Sequence, residues 1–172
     1  MELTEKQNEY IRNANARWNI KTGATGAGKT YLDVLYTIPK RIRERAGRPG
    51  LNILLGNTRG TLQRNIIDPM QELYGTGLVS SIRSDNTAIL FGERCYCLGA
   101  DNRKHVDRLR GSSIKYAYGD EVTTWNKDVF EMLKSRLRTE CSIFDGTCNP
   151  DAPTHWFKTF IDGNADKYVQ SY

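Results

Sequence analysis

Residues Gly23 to Thr30 read Gly-Ala-Thr-Gly-Ala-Gly-Lys-Thr, a complete G-x-x-x-x-G-K-[ST] phosphate-binding loop. The run Trp18-Asn19-Ile20-Lys21 ahead of it reads as a strand, and Tyr31 to Tyr36 behind it as a helix. A strand that ends in a glycine-rich turn and opens a helix leaves little choice of fold. It belongs in a parallel α/β sheet that binds phosphates beyond the carboxyl ends of its strands. In that setting the backbone of Gly23, Ala24, Thr25, Gly26, Ala27 and Gly28 turns its N–H groups around phosphate oxygens. The first helical turn adds its own unpaired donors. Lys29 is expected to reach the β- and γ-phosphates, and the Thr30 hydroxyl to coordinate Mg²⁺. The alternative is a glycine-rich turn that binds nothing, and the strand and helix on either side argue against it.

A length of 172 residues is about one domain, enough to bury a core without disulfides or metals. No apolar run is long enough to span a bilayer, and the amino terminus has no signal-peptide pattern. The expected location is therefore the cytoplasm. Cys95, Cys97, Cys141 and Cys148 suit that compartment as reduced thiols, since no second close Cys/His pair completes a zinc site. The net charge of +5 points mildly to a polyanionic partner. The cations gather at Lys40 to Arg48, at Arg103 to Arg110 and at Lys134 to Arg138. A solvated helix end explains the first cluster as well as a DNA contact does.

Strand and helix patterns alternate along the chain. An opening helix from Thr4 to Ala16 carries Thr4 and Gln7 at capping-box spacing. The helix after the phosphate loop runs to about Arg45, tolerating or kinking at Pro39. Leu51 to Leu55 reads as a strand, and Thr61 to Tyr74 as a helix. Ser80 to Arg83, Thr87 to Phe91 and Glu93 to Leu98 read as a small antiparallel meander. Ile114 to Gly119 and Ser142 to Thr147 are buried strands flanking a helix from Asn126 to Leu137. A last helix is expected to start near Pro153, with a final strand at Tyr168 to Ser171.

Two further motifs follow strands. Tyr116-Ala117-Tyr118-Gly119-Asp120-Glu121 ends in adjacent acids, the arrangement an ATPase requires. Asp120 would hold Mg²⁺ through its water shell, and Glu121 would orient and deprotonate the attacking water. No D-x-x-G follows the strand and no N-K-x-D is present, which favours ATP over GTP. Thr147-Cys148-Asn149-Pro150 closes the next strand. There a polar pair could sense the γ-phosphate, although Asn-Pro is also a common turn.

Taken together, a phosphate loop near the amino terminus, Tyr-x-Asp-Glu about ninety residues later, and Thr-x-Asn-Pro resemble the ATPase domain of tailed-phage large terminase subunits. The approach Leu109-Arg110-Gly111-Ser112-Ser113 is similar to that family as well. The resemblance implies an ASCE-type P-loop α/β core over residues 1–172, with ATP and Mg²⁺ as cofactors. It gives Gln7 as the residue reading the adenine edge, with helix capping as the competing role. Lys29, Thr30 and Asp120 become the phosphate and metal residues, Glu121 the catalytic acid, and Thr147 and Asn149 the coupling motif. Arg110 falls where some terminases place a finger acting on a neighbouring subunit's nucleotide, with Arg108 as the fallback. The implied partners are double-stranded DNA, the portal protein, the small terminase subunit and further copies in a ring.

Two departures are visible. Ala24, Thr25 and Ala27 leave no arginine inside the phosphate loop, which some family members have. The lid subdomain and RNase H-like nuclease domain of the family are not in these residues, so the reading includes a fragment, an excised piece or a split or decayed gene. A helicase-like RecA-type ATPase shares the first two motifs but needs a second core domain with its own arginine. A truncated nucleotide- or DNA-binding module without turnover is the non-enzymatic alternative, and the adjacent acids argue against a small-molecule kinase.

Overall fold

The computed structural model describes residues 2–24, 28–109, 111–149, 155–163 and 165–172, and for Arg108 the backbone alone. Seven strands form one sheet: β1 (Trp18–Thr22), β2 (Leu51–Gly56), β3 (Thr87–Leu90), β4 (Glu93–Gly99), β5 (Ile114–Gly119), β6 (Ile143–Cys148) and β7 (Lys167–Ser171). Their order is β3-β4-β2-β5-β6-β1-β7. Every neighbouring pair is parallel except β3 and β4. β6 therefore stands between the strand that leads into the phosphate loop and the strand that ends in the two acids. The carboxyl ends of β1, β5 and β6 open side by side, which brings three motifs from distant sequence to one edge. This is the expected P-loop α/β sheet.

The sheet is covered on both faces. Alternation along β2 and β5 divides the core. Ile53, Leu55 and Ala117 face Trp18, Phe130, Phe144 and Phe157, while Leu54, Tyr116 and Tyr118 face Val34, Ile38, Leu62, Ile66 and Met70. Helix α6 (Lys127–Arg136), capped by Asn126, and α7 (Trp156–Ile161) cover the first face. Helix α1 (Glu5–Asn13) starts with the expected capping box: the Thr4 hydroxyl accepts from Gln7 N, and Thr4 N donates to Gln7 Oε1 at 2.9 Å. Tyr10 and Ala14 then pack on Leu32 behind the phosphate loop.

Two long helices cover the second face, and each contains a π turn. The first consists of α2 (Lys29–Leu32), a π turn over Asp33–Thr37 and α3 (Ile38–Glu44). The second consists of α4 (Arg59–Leu62), a π turn over Gln63–Ile67 and α5 (Asp68–Tyr74). A proline, Pro39 or Pro69, follows each π turn. Proline has no N–H to give the carbonyl four residues back, and the widened turn accommodates that loss. The carbonyl freed by Pro39 belongs to Leu35, and the Tyr74 hydroxyl donates to it. The helix thus continues through Pro39 by changing its hydrogen-bond register.

The expected three-strand meander is reduced to one antiparallel pair. Ser80 to Arg83 keeps two backbone bonds to β3, from Ser80 N to Ile89 O at 3.0 Å and from Arg83 N to Thr87 O at 2.8 Å, and side chains take other places of the ladder. Ser80 Oγ accepts from Ile89 N at 2.8 Å, and Ile82 N donates to Gln63 Oε1 at 3.1 Å. A single bridge, Val79 to Leu90, is what remains of the third strand. The start expected for the last helix, Pro153, lies outside the described residues, and α7 is described from Trp156. Among the described residues, no helix is long and apolar enough to cross a membrane.

Candidate active site

A cavity of about 460 Å³ opens at the carboxyl edge of the sheet, lined by Gly28, Lys29, Thr30, Tyr31, Arg64, Asn65, Pro69, Asp120 and Glu121. The sequence motifs supply four of these side chains: Lys29 and Thr30 from α2, Asp120 and Glu121 from the end of β5. Gly28 takes φ of 85°, a left-handed conformation open to glycine, and starts α2 there. Thr25, Gly26 and Ala27 lie outside the described residues, while Gly23 and Ala24 lead away from β1.

Lys29 is buried. Its Nζ donates to Gly23 O at 2.6 Å and Cys148 O at 3.0 Å, and lies 3.7 Å from Glu121 Oε1. One ammonium thus touches the phosphate loop, the end of β6 and the acid after β5.

Glu121 is one of the few non-glycine residues with a left-handed backbone, at φ 48° and ψ 61°. That conformation costs about 1 kcal/mol or more and has to be held by its surroundings. The Thr147 hydroxyl accepts from Glu121 N at 3.1 Å, and the Thr124 hydroxyl donates to Glu121 O at 2.7 Å. Trp125 Nε1 fixes the preceding carbonyl, Asp120 O, at 3.0 Å. The side chain of Glu121 is only partly buried and faces the cavity.

Asp120 is buried beside it. Burial raises its carboxyl to about 6 and the neighbouring Glu121 charge adds to this, while hydrogen bonds from Asn65 and Thr147 oppose it. Those bonds run from Asn65 Nδ2 to Oδ2 and from Thr147 Oγ1 to Oδ1, both at 3.4 Å. A hydroxyl and a carboxylate lining one cavity are the oxygen donors a hard dication takes, so Thr30 and Asp120 fit Mg²⁺.

The remaining expected residues fall at differing distances from this centre. Thr147 touches both acids. Asn149 meets the loop after β5, where Thr123 Oγ1 donates to its carbonyl at 3.5 Å. Gln7 is buried at the mouth of α2. Its Oε1 is used in the capping box, and its Nε2 points to Gly28 O at 3.5 Å. The two roles weighed for Gln7 are therefore compatible, since one amide end caps and the other faces the loop. Arg110 lies outside the described residues, as does the side chain of Arg108.

Several residues near the site had no role in the sequence reading. Lys21 on β1 is fully buried and ion-paired with Asp33 at the start of the first π turn; its Nζ also donates to Lys29 O at 3.0 Å. Tyr118 OH donates to the other oxygen of Asp33 at 2.7 Å. Burial pushes the Lys21 ammonium down and the Asp33 carboxyl up, each partly offset by the other. A second buried pair, Arg41 with Asp145, is joined by Tyr10 OH at 2.7 Å. Arg41 thus leaves the first basic cluster to become a structural cation, and Arg45 likewise donates to Cys141 O at 2.8 Å. Their shared sequence signal is a charge inside an apolar strand or on the inner stripe of a helix. Arg64 and Asn65 carry no such mark. Cys95, Cys97 and Cys148 are buried free thiols, and among the described residues no group of three or more His, Cys, Asp or Glu is placed to hold a metal.

Comparison with known proteins gives the family and the fold. The family "Terminase large subunit, T4likevirus-type, N-terminal" matches residues 20–171. The large terminase of a thermophilic bacteriophage superposes with a TM-score of 0.81 at 22% identity, over 99% of this chain and 46% of that one. Other structures of that thermophilic phage protein are complexes with ADP and with ATP-gamma-S. The ATPase domain of the Thermus phage P74-26 large terminase gives 0.71 at 13% identity, over 99% and 80% of the two chains. The N-terminal domain of the DNA packaging ATPase from bacteriophage phi29 gives 0.66 at 12%, over 98% and 95%. At these identities the likeness establishes the fold, and this chain spans less than half of the thermophilic phage terminase. No curated protein matches the sequence. Because the family match runs through nearly every element from β1 to β7, the chain belongs to the terminase large subunits, in their N-terminal region.

Proposed function

We propose that the chain, as one domain over residues 1–172, hydrolyses ATP in a viral DNA-packaging motor and couples turnover to movement of double-stranded DNA into a procapsid. One observation carries the reading: Lys29, Thr30, Asp120 and Glu121, from segments about ninety residues apart in sequence, line one cavity. The triphosphate would lie along Gly23–Thr30, with Gln7 at the adenine. Lys29 exchanges a backbone carbonyl for β- and γ-phosphate oxygens. Mg²⁺, held by Thr30 and Asp120, would neutralise phosphate charge. Glu121 accepts the proton of the attacking water, and its pinned backbone keeps the carboxylate aimed.

Coupling begins at Thr147, whose hydroxyl touches both acids, and continues to Asn149, the residue after Lys29's contact at Cys148. Arg110, or Arg108, would act on a neighbouring copy's nucleotide in a ring. The portal protein and small terminase subunit complete the assembly in the host cytoplasm.

The test is Glu121→Gln in the full chain. ATP binding should persist while turnover drops about 10²- to 10⁴-fold, the usual worth of a general base. Lys29→Ala should weaken ATP binding itself. Unchanged turnover in Glu121→Gln rejects the assignment of the base, and a wild-type chain that binds no ATP rejects the nucleotide site.

A further inference from the structure

The π turn Gln63–Ile67 contributes Arg64 and Asn65 to the lining of the cavity, and four of its five side chains have structural employment. Gln63 accepts from Ile82 N at 3.1 Å and donates to Asp68 Oδ1 at 2.6 Å. Asn65 donates to Asp120, and Ile66 and Ile67 are buried in the core. Arg64 is the exception. It is exposed, and among the described residues its guanidinium makes no ion pair.

The direction of the Arg64 side chain follows from helix geometry. Side chains tilt toward the amino end of their own helix, which here lies at the carboxyl edge of the sheet. Consistently, Arg64 Nη1 reaches back over Gly60, where a β-carbon would stand 3.4 Å from it. Among the described residues, Arg64 and Lys29 are the two cations that line the cavity, together with the acids Asp120 and Glu121. A π turn inserts one residue into a helix and so re-aims the side chains around it, which is why such turns gather at functional sites.

We propose that Arg64 is a phosphate-binding arginine that the chain supplies to its own nucleotide. The proposal rests on the nucleotide-site reading above and adds a residue that no motif marks. A guanidinium offers several donors in a fixed fork, suited to the terminal phosphate, where Lys29 contributes a point charge.

The test compares ATPγS and ADP affinities, with Mg²⁺, of the full chain, Arg64→Ala and Arg64→Lys. Arg64→Ala should weaken ATPγS by about tenfold or more and ADP by less than about threefold, and Arg64→Lys should recover part of the loss. Equal affinities in wild type and Arg64→Ala overturn the proposal while leaving the nucleotide site intact. So does equal loss for both nucleotides together with a lower melting temperature, which marks a structural residue. Unchanged nucleotide affinity with reduced, salt-dependent affinity for duplex DNA assigns Arg64 to DNA and also overturns it. Mixing Arg64→Ala with Lys29→Ala should restore no turnover, because both residues must serve one nucleotide. Recovery on mixing would place Arg64 on a neighbour's site. If the wild type binds neither nucleotide, both readings fall together.

Discussion

The Thr147 hydroxyl accepts the backbone N–H of Glu121 at 3.1 Å and approaches Asp120 Oδ1 at 3.4 Å. A residue of one strand thus holds the strained backbone that follows another. Thr147→Val keeps the branched shape and removes both bonds, leaving a buried donor unpaired at a cost of about 1–3 kcal/mol. Turnover should fall more than ATP affinity, because the aim of Glu121 is lost while the phosphate loop is untouched. Thr147→Ser should retain both. Urea unfolding read beside steady-state hydrolysis separates the two effects, and equal losses in turnover and affinity would contradict the positioning role.

Lys21 and Asp33 join β1 to the helix that carries Lys29. Removing one partner strands a charge in the core, so Lys21→Met should cost about 3–5 kcal/mol. Asp33 then takes up a proton on folding, and stability should fall further as pH rises. Lys21→Met combined with Asp33→Leu should recover most of the loss. A double mutant no more stable than Lys21→Met would show that the pair is not the unit.

Gly119, the last residue of β5, has Trp125 and Phe144 against its α-carbon. An added β-carbon would meet Trp125 Cη2 at 2.7 Å and Phe144 Cζ at 2.8 Å. Both rings are buried and cannot move away freely. Gly119→Ala should therefore destabilise by about 1–3 kcal/mol through overpacking and should disturb Asp120 and Glu121 next to it. Denaturant midpoints and turnover check this together, and a neutral substitution would mean the rings yield.

Burial raises the Cys95 thiol well above its ordinary value and the Cys97 thiol to about 12. An unfolded chain ionises these groups near pH 9, while the folded one keeps them protonated. Stability is therefore intact below pH 9 and lost as pH rises from there toward 12, by up to about 1.4 kcal/mol per pH unit for each thiol. Cys95→Ala with Cys97→Ala should flatten that slope in unfolding measured across pH. In the native protein at neutral pH, half-buried Cys141 should be alkylated before the three buried thiols.

Some of this was legible in the sequence because local chemistry decides it. Ile114 to Gly119 is a mostly apolar run, broken by Lys115 and ended by two acids, and its bounds were read to the residue. Thr4 and Gln7 had to cap because both halves of the box lie within one turn. Ser80 to Arg83 misled, because alternation records which face is apolar and cannot show that side-chain oxygens take part of the ladder. Lys21, Asp33, Arg41 and Asp145 were opaque for another reason. Their burial depends on partners 12 and 104 residues away, and a charge reads as exposed until its partner is known. Asn65 and Arg64 enter the cavity through a helix whose register slips, and no fixed spacing anticipates that.

That slip has a consequence for how the sequence can change. Each of the two proline-bearing helices contains one residue more than an uninterrupted spiral would use over the same span. A single-residue deletion inside Gln63–Ile67 is therefore the kind of length change this region can absorb, restoring ordinary winding while leaving the residues on either side nearly where they were around the axis. Elsewhere in the cavity wall the same deletion would shear a strand out of alignment and turn its inward residues outward.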